Sequence, residues 1–177
     1  MRISSLSLKD LAITISDYLG RNGIDVVLTG GACVSIYTNN KYMSYDLDYV
    51  FISGDHKKTK ELLAQIGFYP EDRYFKHMDT EYFLDFVPPP LSVGSEPVNE
   101  ISEINKNNKT LRLLSPTDCV KDRLAAYYYW NDRQSLEQAV LVCRDNDIDL
   151  QEVKRWSLNE GMREKYLKFI KLIPKKT

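Results

Sequence analysis

Two aspartates, Asp46 and Asp48, lie one residue apart inside the apolar run "YDLDYVFI" of this 177-residue chain. Side chains two residues apart on a β-strand point to the same face, so we expect the two carboxylates to project side by side. Carboxylates this close repel each other, and burying them unpaired costs several kcal/mol. A buried pair therefore needs Arg, Lys or a metal ion beside it, and Mg²⁺ suits paired carboxylate oxygens. The alternative is a half-exposed strand whose aspartates are satisfied by water.

Gly30 and Gly31 follow the apolar run "IDVVLTG" and open a short segment with helical character. Backbone N–H groups at the start of a helix are a ready site for phosphate. In a strand–helix–strand unit, this glycine turn and the two aspartates face one crevice, with anion donors on one side and metal ligands on the other. An ordinary tight turn is the alternative interpretation.

A third carboxylate, Asp85, lies in "YFLDFV" and is flanked by apolar residues in the same way as the first two. If this run forms a strand beside "YDLDYV", three carboxylates converge, which is enough to hold two metal ions.

The elements that position these residues are predicted from periodicity and turn signals. Helices are expected at "SLKDLAITISDYLG", with Ser7 as cap, at "ACVSIYT" and at "HKKTKELLAQIGF". Strands are expected at "IDVVLTG", at Tyr45 to Ile52 and in an antiparallel hairpin formed by "RYFKHM" and "TEYFLDFV". The polar stretch "SVGSEPVNEISEINKNNKT" is predicted to be a loop with one short helix at most, followed by a last short strand, "LRLL".

From Ser115 onward the chain shows helical patterns, with Ser115 as cap and Pro116 in the first helical position. Three helices are predicted, at "CVKDRLAAYYYW", "SLEQAVLVCRDN" and "DLQEVKRWSLNEGMREKYLKFI". The predicted fold is therefore α+β: a small mixed or antiparallel sheet with packed helices in residues 1–114, followed by a short helical C-terminal part in residues 115–177.

The charge balance excludes a strong global attraction for nucleic acid, because 24 Lys and Arg residues face 25 Asp and Glu residues, a net charge of −1. A nucleic-acid partner would need a local basic patch. The candidate basic residues near the C-terminus are Arg163, Lys165, Lys168, Lys171, Lys175 and Lys176. A solvated helix face is the favoured interpretation of this run.

Three widely spaced cysteines, Cys33, Cys119 and Cys143, fit neither a disulfide framework nor a CxxC zinc site. We expect their side chains to be buried in the protein core and the protein to be in a reducing compartment. No signal-peptide pattern and no long apolar run is visible, so a cytoplasmic protein with no membrane partner is expected.

The combined pattern resembles the DNA-polymerase-beta-like nucleotidyltransferase superfamily over residues 24–87. The carrying features are the Gly30-Gly31 pair, fourteen intervening residues, the D-x-D of Asp46 and Asp48, and Asp85 in a later apolar strand. The segment "SPTDCVKDRLAAYYYW" with its following helix is similar to the helical extension of the abortive-infection-type, toxin-like branch. That extension is expected to complete the site from its own side.

The resemblance implies a role for each residue of the sheet. The implied ligands of Mg²⁺, in a two-metal site, are Asp46, Asp48 and Asp85, the last also serving as a base. The implied phosphate contacts are Gly30, Gly31 and Ser35. Ser44, two residues before Asp46, matches a small hydroxyl residue common in the superfamily.

The helical half of the motif departs from the family pattern. Its usual lysine falls on Arg123, with Lys121 as a stand-in, and each has a surface salt bridge as the alternative interpretation. The usual aspartate falls on Ser135, although Asp132 is close enough in sequence to substitute. Tyr42 replaces an arginine often found four residues before the first aspartate.

The activity implied is Mg²⁺-dependent transfer of a nucleoside monophosphate from a nucleoside triphosphate such as ATP. The acceptor hydroxyl belongs to RNA such as tRNA, to a protein or to a small molecule, and an antitoxin protein is a further expected partner. A catalytically silent protein that binds a nucleotide or a partner is the alternative. In a third hypothesis, an interaction module, Asp85 lies far from the aspartate pair. The aromatic run Tyr127 to Trp130 suits either core packing or base stacking, and at most two of its four rings can line one pocket.

Overall fold

A computed structural model describes residues 3–173 of the chain. After a 3₁₀ turn at Ile3–Ser5, the helices are α1 (Leu8–Arg21), α2 (Gly30–Tyr37), α3 (His56–Gln65), α4 (Pro116–Trp130), α5 (Arg133–Asp145), α6 (Leu150–Asn159) and α7 (Arg163–Leu172). The strands are β1 (Asp25–Thr29), β2 (Asp46–Ser53), β3 (Tyr69–Glu71), β4 (Tyr74–Lys76), β5 (Phe83–Val87), β6 (Ser92–Val93), β7 (Glu96–Pro97), β8 (Ile101–Lys106) and β9 (Lys109–Leu114).

Within the described residues, seven strands form one mixed sheet in the order β3-β4-β5-β2-β1-β9-β8. The strand β2 lies at its centre, antiparallel to β1 and parallel to β5. The strand β9 runs parallel to β1 and antiparallel to β8, and β6 and β7 form a separate small hairpin. The predicted α+β class with a mixed sheet is confirmed.

Two helix starts follow directly from local sequence. The Ser7 hydroxyl oxygen accepts a hydrogen bond from the Asp10 N–H at 3.2 Å, and this caps α1. The Ser115 oxygen accepts from the Asp118 N–H at 3.1 Å, with Pro116 in the first turn of α4. Both caps were predicted and both are confirmed.

The prediction of a loop in the polar stretch before β9 is wrong, because β6, β7 and β8 lie there. The strand β8 is at the sheet edge, and its pairing with β9 requires few apolar side chains. The turn between β8 and β9 contains Asn107 and Asn108 at φ of 52° and 58°, a left-handed pair that suits a two-residue hairpin. This turn signal identifies the hairpin even though the strand itself is polar.

The last predicted helix is also corrected, because it divides into α6 and α7. Gly161 lies between them at φ of 73°, a left-handed conformation that ends α6. The described residues after Ser115 therefore form four helices where the sequence predicts three. The strand β3, which pairs with β4, was not predicted.

The buried side chains of the sheet and of the C-terminal helices form one cluster, in which Tyr49, Phe68 and Trp156 are among the largest fully buried residues. The helices α4 and α5 pack against α2, and α2 in turn packs against β1 and β2 of the sheet. The change from strand to helix falls at Ser115, as predicted, and a division into two domains there stays a prediction. The three cysteines are buried and form no disulfide. None of the helices in residues 3–173 combines the length and apolarity needed to cross a membrane.

Candidate active site

Three carboxylates meet on the central strands of the sheet. Asp48 on β2 lies directly opposite Asp85 on β5, and Asp46 precedes Asp48 on the same face of β2. The intervening Leu47 and the following Tyr49 point the other way and are fully buried in the core. The structure therefore brings together the three aspartates that the sequence singled out, and it contradicts the interaction-module hypothesis, in which Asp85 lies far away.

The electrostatics of this cluster are dominated by its surplus of negative charge. Burial, followed by the neighbouring charges of Asp46 and Asp85, raises the pKa of Asp48 to about 7. The guanidinium of Arg123 acts in the opposite direction on this pKa, so its charge is within electrostatic reach of Asp48. The cluster therefore favours any additional cation.

The Gly30 turn lies directly against the Asp48 carboxylate. Gly30 has φ of 68°, and a Cβ placed on it would come within 2.3 Å of Asp48 Oδ2, so only glycine fits there. The preceding Thr29 does not cap α2; its hydroxyl donates to the Asp48 carbonyl at 3.2 Å instead. The turn thus joins the end of β1, the start of α2 and the middle carboxylate in one place.

Ser35 and Ser44 hold the segment between α2 and β2. The Ser44 hydroxyl donates to Asp46 Oδ1 at 2.5 Å, and the Ser44 N–H donates to Ser35 Oγ at 2.9 Å. The Ser35 hydroxyl donates to the Gly31 carbonyl at 3.3 Å, and Ser35 is only 1% exposed. Ser35, predicted to contact a phosphate, is thus engaged in positioning Gly31 and Ser44.

Arg123 comes to the cluster from α4. Its guanidinium donates to the Asp122 carboxylate at 2.6 Å and to Gln138 Oε1 at 3.4 Å, and its side chain is 18% exposed. Burial would lower the pKa of Arg123, but Asp122 and Asp48 raise it above its ordinary value, so the cation stays charged. Arg123 does form an ion pair, with Asp122, but the pair is half-buried, with side chains 18% and 23% exposed, and its contact with a triphosphate stays a prediction.

Lys121 is not brought to the cluster. Residues two apart on a helix are separated by about 200°, so Lys121 and Arg123 lie on different sides of α4. The Lys121 ammonium donates to Asp118 at 3.0 Å and to Glu152 at 3.1 Å. Its contacts join α4 to α6, and the structure lends no support to the predicted phosphate contact.

Asp132, rather than Ser135, supplies the carboxylate at the start of α5. Asp132 accepts hydrogen bonds from the N–H groups of Gln134 and Ser135 and from the Ser135 hydroxyl, the last at 2.7 Å. The Ser135 hydroxyl, followed by these N–H groups and Arg123, lowers the pKa of Asp132. Tyr42 lies beside the glycine turn, with its Cε1 3.4 Å from a Cβ placed on Gly31, and burial followed by Asp46 raises the pKa of Tyr42. The substitution of Asp132 for Ser135 considered from the sequence agrees with this geometry.

Arg73 is a site residue that sequence reasoning missed. It lies at the tip of the β3–β4 hairpin, donates to Asp85 Oδ2 at 2.8 Å and stacks over the Tyr74 ring at 4.7 Å. The hairpin was not predicted because β3 has three exposed residues and no apolar alternation. The short turn signal "EDR" between two aromatic segments is the feature that identifies its tip.

The carboxylates are of the type that holds a divalent cation, and the strand register puts all three on one face of the sheet. Mg²⁺ prefers carboxylate oxygens, and the adjacent, in-register strands supply three of them. In their present conformations, the side chains of residues 3–173 include no group of three Asp, Glu, His or Cys that could hold a metal ion. Asp85 is engaged by Arg73 and Asp46 by Ser44, so side-chain rotation is needed before the three oxygens can share one ion.

A groove of about 520 Å³ begins at Arg123 and runs along α4. Its lining residues are Gly94, Ser95, Asp122, Arg123, Ala125, Ala126, Tyr129 and Trp130. Trp130 is 82% exposed, whereas Tyr127 and Tyr128 are buried in the core. Two of the four consecutive aromatic residues therefore line this groove, the maximum expected for a helix.

One residue of the basic C-terminal run is engaged by the neighbouring helix. The Lys165 ammonium donates to the carbonyl oxygens of Tyr127 and Tyr128 at 3.0 and 2.5 Å and so caps the end of α4. Lys175 and Lys176 lie outside the described residues.

No protein-family model and no curated protein matches this sequence. Solved structures do match. An antigenic nucleotidyltransferase-like protein from Paracoccidioides brasiliensis superposes with a TM-score of 0.63 at 15% identity, over 96% of this chain and 94% of that one. ANT(2")-Ia in complex with adenylyl-2"-tobramycin superposes with a TM-score of 0.55 at 14% identity, over 87% and 99%. The lincomycin-bound lincosamide antibiotic adenylyltransferase LnuA does so with a TM-score of 0.53 at 20% identity, over 76% and 96%. The chain has the nucleotidyltransferase fold.

Proposed function

We propose that this protein is a Mg²⁺-dependent nucleotidyltransferase that moves a nucleoside monophosphate from a nucleoside triphosphate to an acceptor hydroxyl. The observation that carries the proposal is the register of the central strands. Asp48 lies opposite Asp85, Asp46 shares their face, and the Gly30 turn lies against Asp48. That arrangement occurs on a fold shared with nucleotidyltransferases.

Each residue of the site has a defined task in this reaction. Asp46, Asp48 and Asp85 would hold the Mg²⁺, which neutralises phosphate charge and orients the triphosphate when it is bound. The Gly30 turn leaves room for the Asp48 carboxylate, and backbone N–H groups at the start of α2 would contact the triphosphate. Arg123 adds a permanent positive charge on the α4 side, and such fixed charges account for most of the catalysis in phosphoryl transfer. The acceptor oxygen bonds to the α-phosphorus, its proton passes to Asp85, and pyrophosphate leaves.

The groove along α4 defines how the nucleotide would be oriented in the site. Arg123 and Trp130 are seven positions apart, which corresponds to a rise of about 10 Å along the helix. A nucleoside triphosphate is long enough to place its phosphates at Arg123 and its base on the exposed ring of Trp130. Aromatic side chains stack on bases with little preference for sequence, so this contact supports nucleotide binding in general.

The donor we propose is ATP, and the acceptor is a small hydroxylated molecule. One protein of the same fold is named as an adenylyltransferase and is bound to lincomycin, and another is in complex with adenylyl-2"-tobramycin. In this chain the net charge is −1, and Lys165 is engaged in capping α4. Both features favour a small molecule over RNA. A toxin-like activity and an antitoxin partner stay predictions.

The test is a calorimetric titration of each of the four nucleoside triphosphates with and without Mg²⁺. We expect Mg²⁺-dependent binding of ATP to the wild-type protein and its loss in Asp46→Asn, which removes a metal ligand while keeping the side-chain size. The matched control is Asp25→Asn at the far end of β1, where the side chain is 49% exposed and 3.6 Å from Arg112. Binding that survives Asp46→Asn, or that is absent in the folded wild-type protein, would refute the proposal.

A second candidate is a silent nucleotide-binding protein, which the engagement of Asp85 by Arg73 favours. Pyrophosphate release separates the two candidates, since a silent protein binds ATP and Mg²⁺ without releasing pyrophosphate. The assay is run with the wild-type protein and a panel of hydroxylated acceptors.

A further inference from the structure

The ion pair between Arg73 and Asp85 has no part in the proposed reaction. Arg73 lies on the short turn between β3 and β4, where strand pairing at Glu71 and Tyr74 leaves it at the hairpin tip. From there its guanidinium reaches Asp85 on the neighbouring strand at 2.8 Å. The Tyr74 ring supports the extended side chain at 4.7 Å, so the contact has a defined geometry.

This contact blocks the proposed metal site. Asp85 cannot direct both of its oxygens to a cation shared with Asp46 and Asp48 while one of them accepts from Arg73. No three-ligand group is preassembled among the described residues, and this ion pair holds one oxygen of the third carboxylate. Arg73 therefore competes with a metal ion for the same carboxylate.

The charges also require a counter-ion in this place before a metal arrives. Four carboxylates, those of Asp46, Asp48, Asp85 and the Arg123 partner Asp122, are set against Arg123 and Arg73, which leaves a net charge of −2 when all are ionised. Adding one divalent cation makes the total zero, so Arg73 then experiences less attraction from the cluster. A nucleotide that brings a polyanionic triphosphate to the same cleft offers Arg73 a new partner, because a guanidinium binds phosphate oxygens well.

We propose that Arg73 is a movable counter-ion: it occupies Asp85 in the metal-free protein and transfers to the triphosphate when metal and nucleotide bind. This inference rests on the proposed nucleotidyltransferase function and adds a positioning residue to it. The Arg73 side chain is 69% exposed and has room to move, whereas the Asp85 side chain is only 11% exposed, so its charge needs the metal ion once the guanidinium leaves.

Two opposite effects of one substitution follow. In Arg73→Gln, Asp85 loses its competitor, so the affinity for a metal ion alone rises, by about fivefold or more. The same variant lacks the phosphate partner, so the affinity for ATP with Mg²⁺ falls by about fivefold or more. A purely structural role for Arg73 predicts no gain in metal affinity.

The experiment measures binding of Mn²⁺ alone by electron paramagnetic resonance and binding of ATP with Mg²⁺ by calorimetry. Arg73→Gln is compared with Arg73→Lys, which keeps the positive charge and should remain close to wild type for Mn²⁺. The matched control is Lys76→Gln on the same hairpin, where an exposed lysine pairs with Glu71 and away from the aspartates. Thermal unfolding verifies that each variant is folded.

A rise in Mn²⁺ affinity together with a fall in ATP affinity, both specific to Arg73→Gln, supports the exchange. Unchanged or weaker Mn²⁺ binding in this variant, or unchanged ATP binding, overturns it. If the wild-type protein binds Mn²⁺ and ATP but Arg73→Gln behaves identically, only the role of Arg73 fails. If the wild-type protein binds neither, the proposed function fails with it.

Discussion

Replacing Asp48 with asparagine should stabilise the metal-free protein at neutral and alkaline pH. Asp48 lies between Asp46 and Asp85, largely buried, and this environment raises its pKa from 3.8 to about 7. The folded protein therefore holds a proton on Asp48 more tightly than the unfolded chain does. An asparagine side chain is neutral at every pH and has nearly the same shape, so the substitution removes the charge and little else.

The direction with pH follows from this difference. Below about pH 4 the carboxyl group is protonated in both states, and Asp48 adds no electrostatic cost. Between about pH 4 and pH 7 the unfolded chain has released the proton while the folded protein still holds it, so the free energy of unfolding of the wild-type protein falls over this interval and levels off above it. At about 1.4 kcal/mol per pKa unit, the full cost is about 4 kcal/mol above pH 7. Partial solvent access reduces this value, and we expect a gain of about 1–4 kcal/mol for Asp48→Asn at pH 8.

Urea denaturation in the presence of a chelator measures the effect at pH 4.5, 6 and 8. The difference between Asp48→Asn and the wild-type protein should grow with pH and be small at pH 4.5. The control Asp25→Asn alters an exposed aspartate of the adjacent strand and should show no such growth. A variant that is less stable than wild type at pH 8, or a difference that does not change with pH, would contradict the electrostatic reasoning. Added Mg²⁺ should then stabilise the wild-type protein more than the variant, because ligand binding favours the folded state.

Two further predictions concern the glycine turn and the aromatic groove. Gly30→Ala should lower the free energy of unfolding by about 1–3 kcal/mol and weaken nucleotide binding, since the residue has φ of 68° and its Cβ would meet Asp48 Oδ2. Its control is Gly20→Ala, at an exposed position of α1 with no atom within 4 Å of the added Cβ, which should be neutral or stabilising in the same urea assay. Trp130→Ala should weaken ATP binding by about fivefold or more in calorimetry without lowering the melting temperature, because the ring is 82% exposed and its proposed task is stacking. Equal ATP affinity in Trp130→Ala would show that the base does not lie in the groove.

Local rules were sufficient for much of the site. The two-residue period of a strand predicts that Asp46 and Asp48 share a face, and a glycine pair after an apolar run predicts the tight turn beside them. The caps at Ser7 and Ser115 follow from side chains that accept hydrogen bonds within the first helical turn. These features depend on neighbours in sequence, so the sequence by itself determined them.

Other features depend on neighbours in space, and the tertiary structure alone decided them. The register that sets Asp48 opposite Asp85 joins strands that are far apart in the chain. Which side of α4 faces the aspartates is decided by packing against α2 and α5, and this brings Arg123 to the cluster while Lys121 bonds to Asp118 and Glu152. The contact of Arg73 with Asp85 depends on a hairpin whose strands are too short and exposed to show a pattern. The periodicity of the sequence predicts which face of a helix or strand a residue occupies. The packing of the whole chain determines what that face contacts.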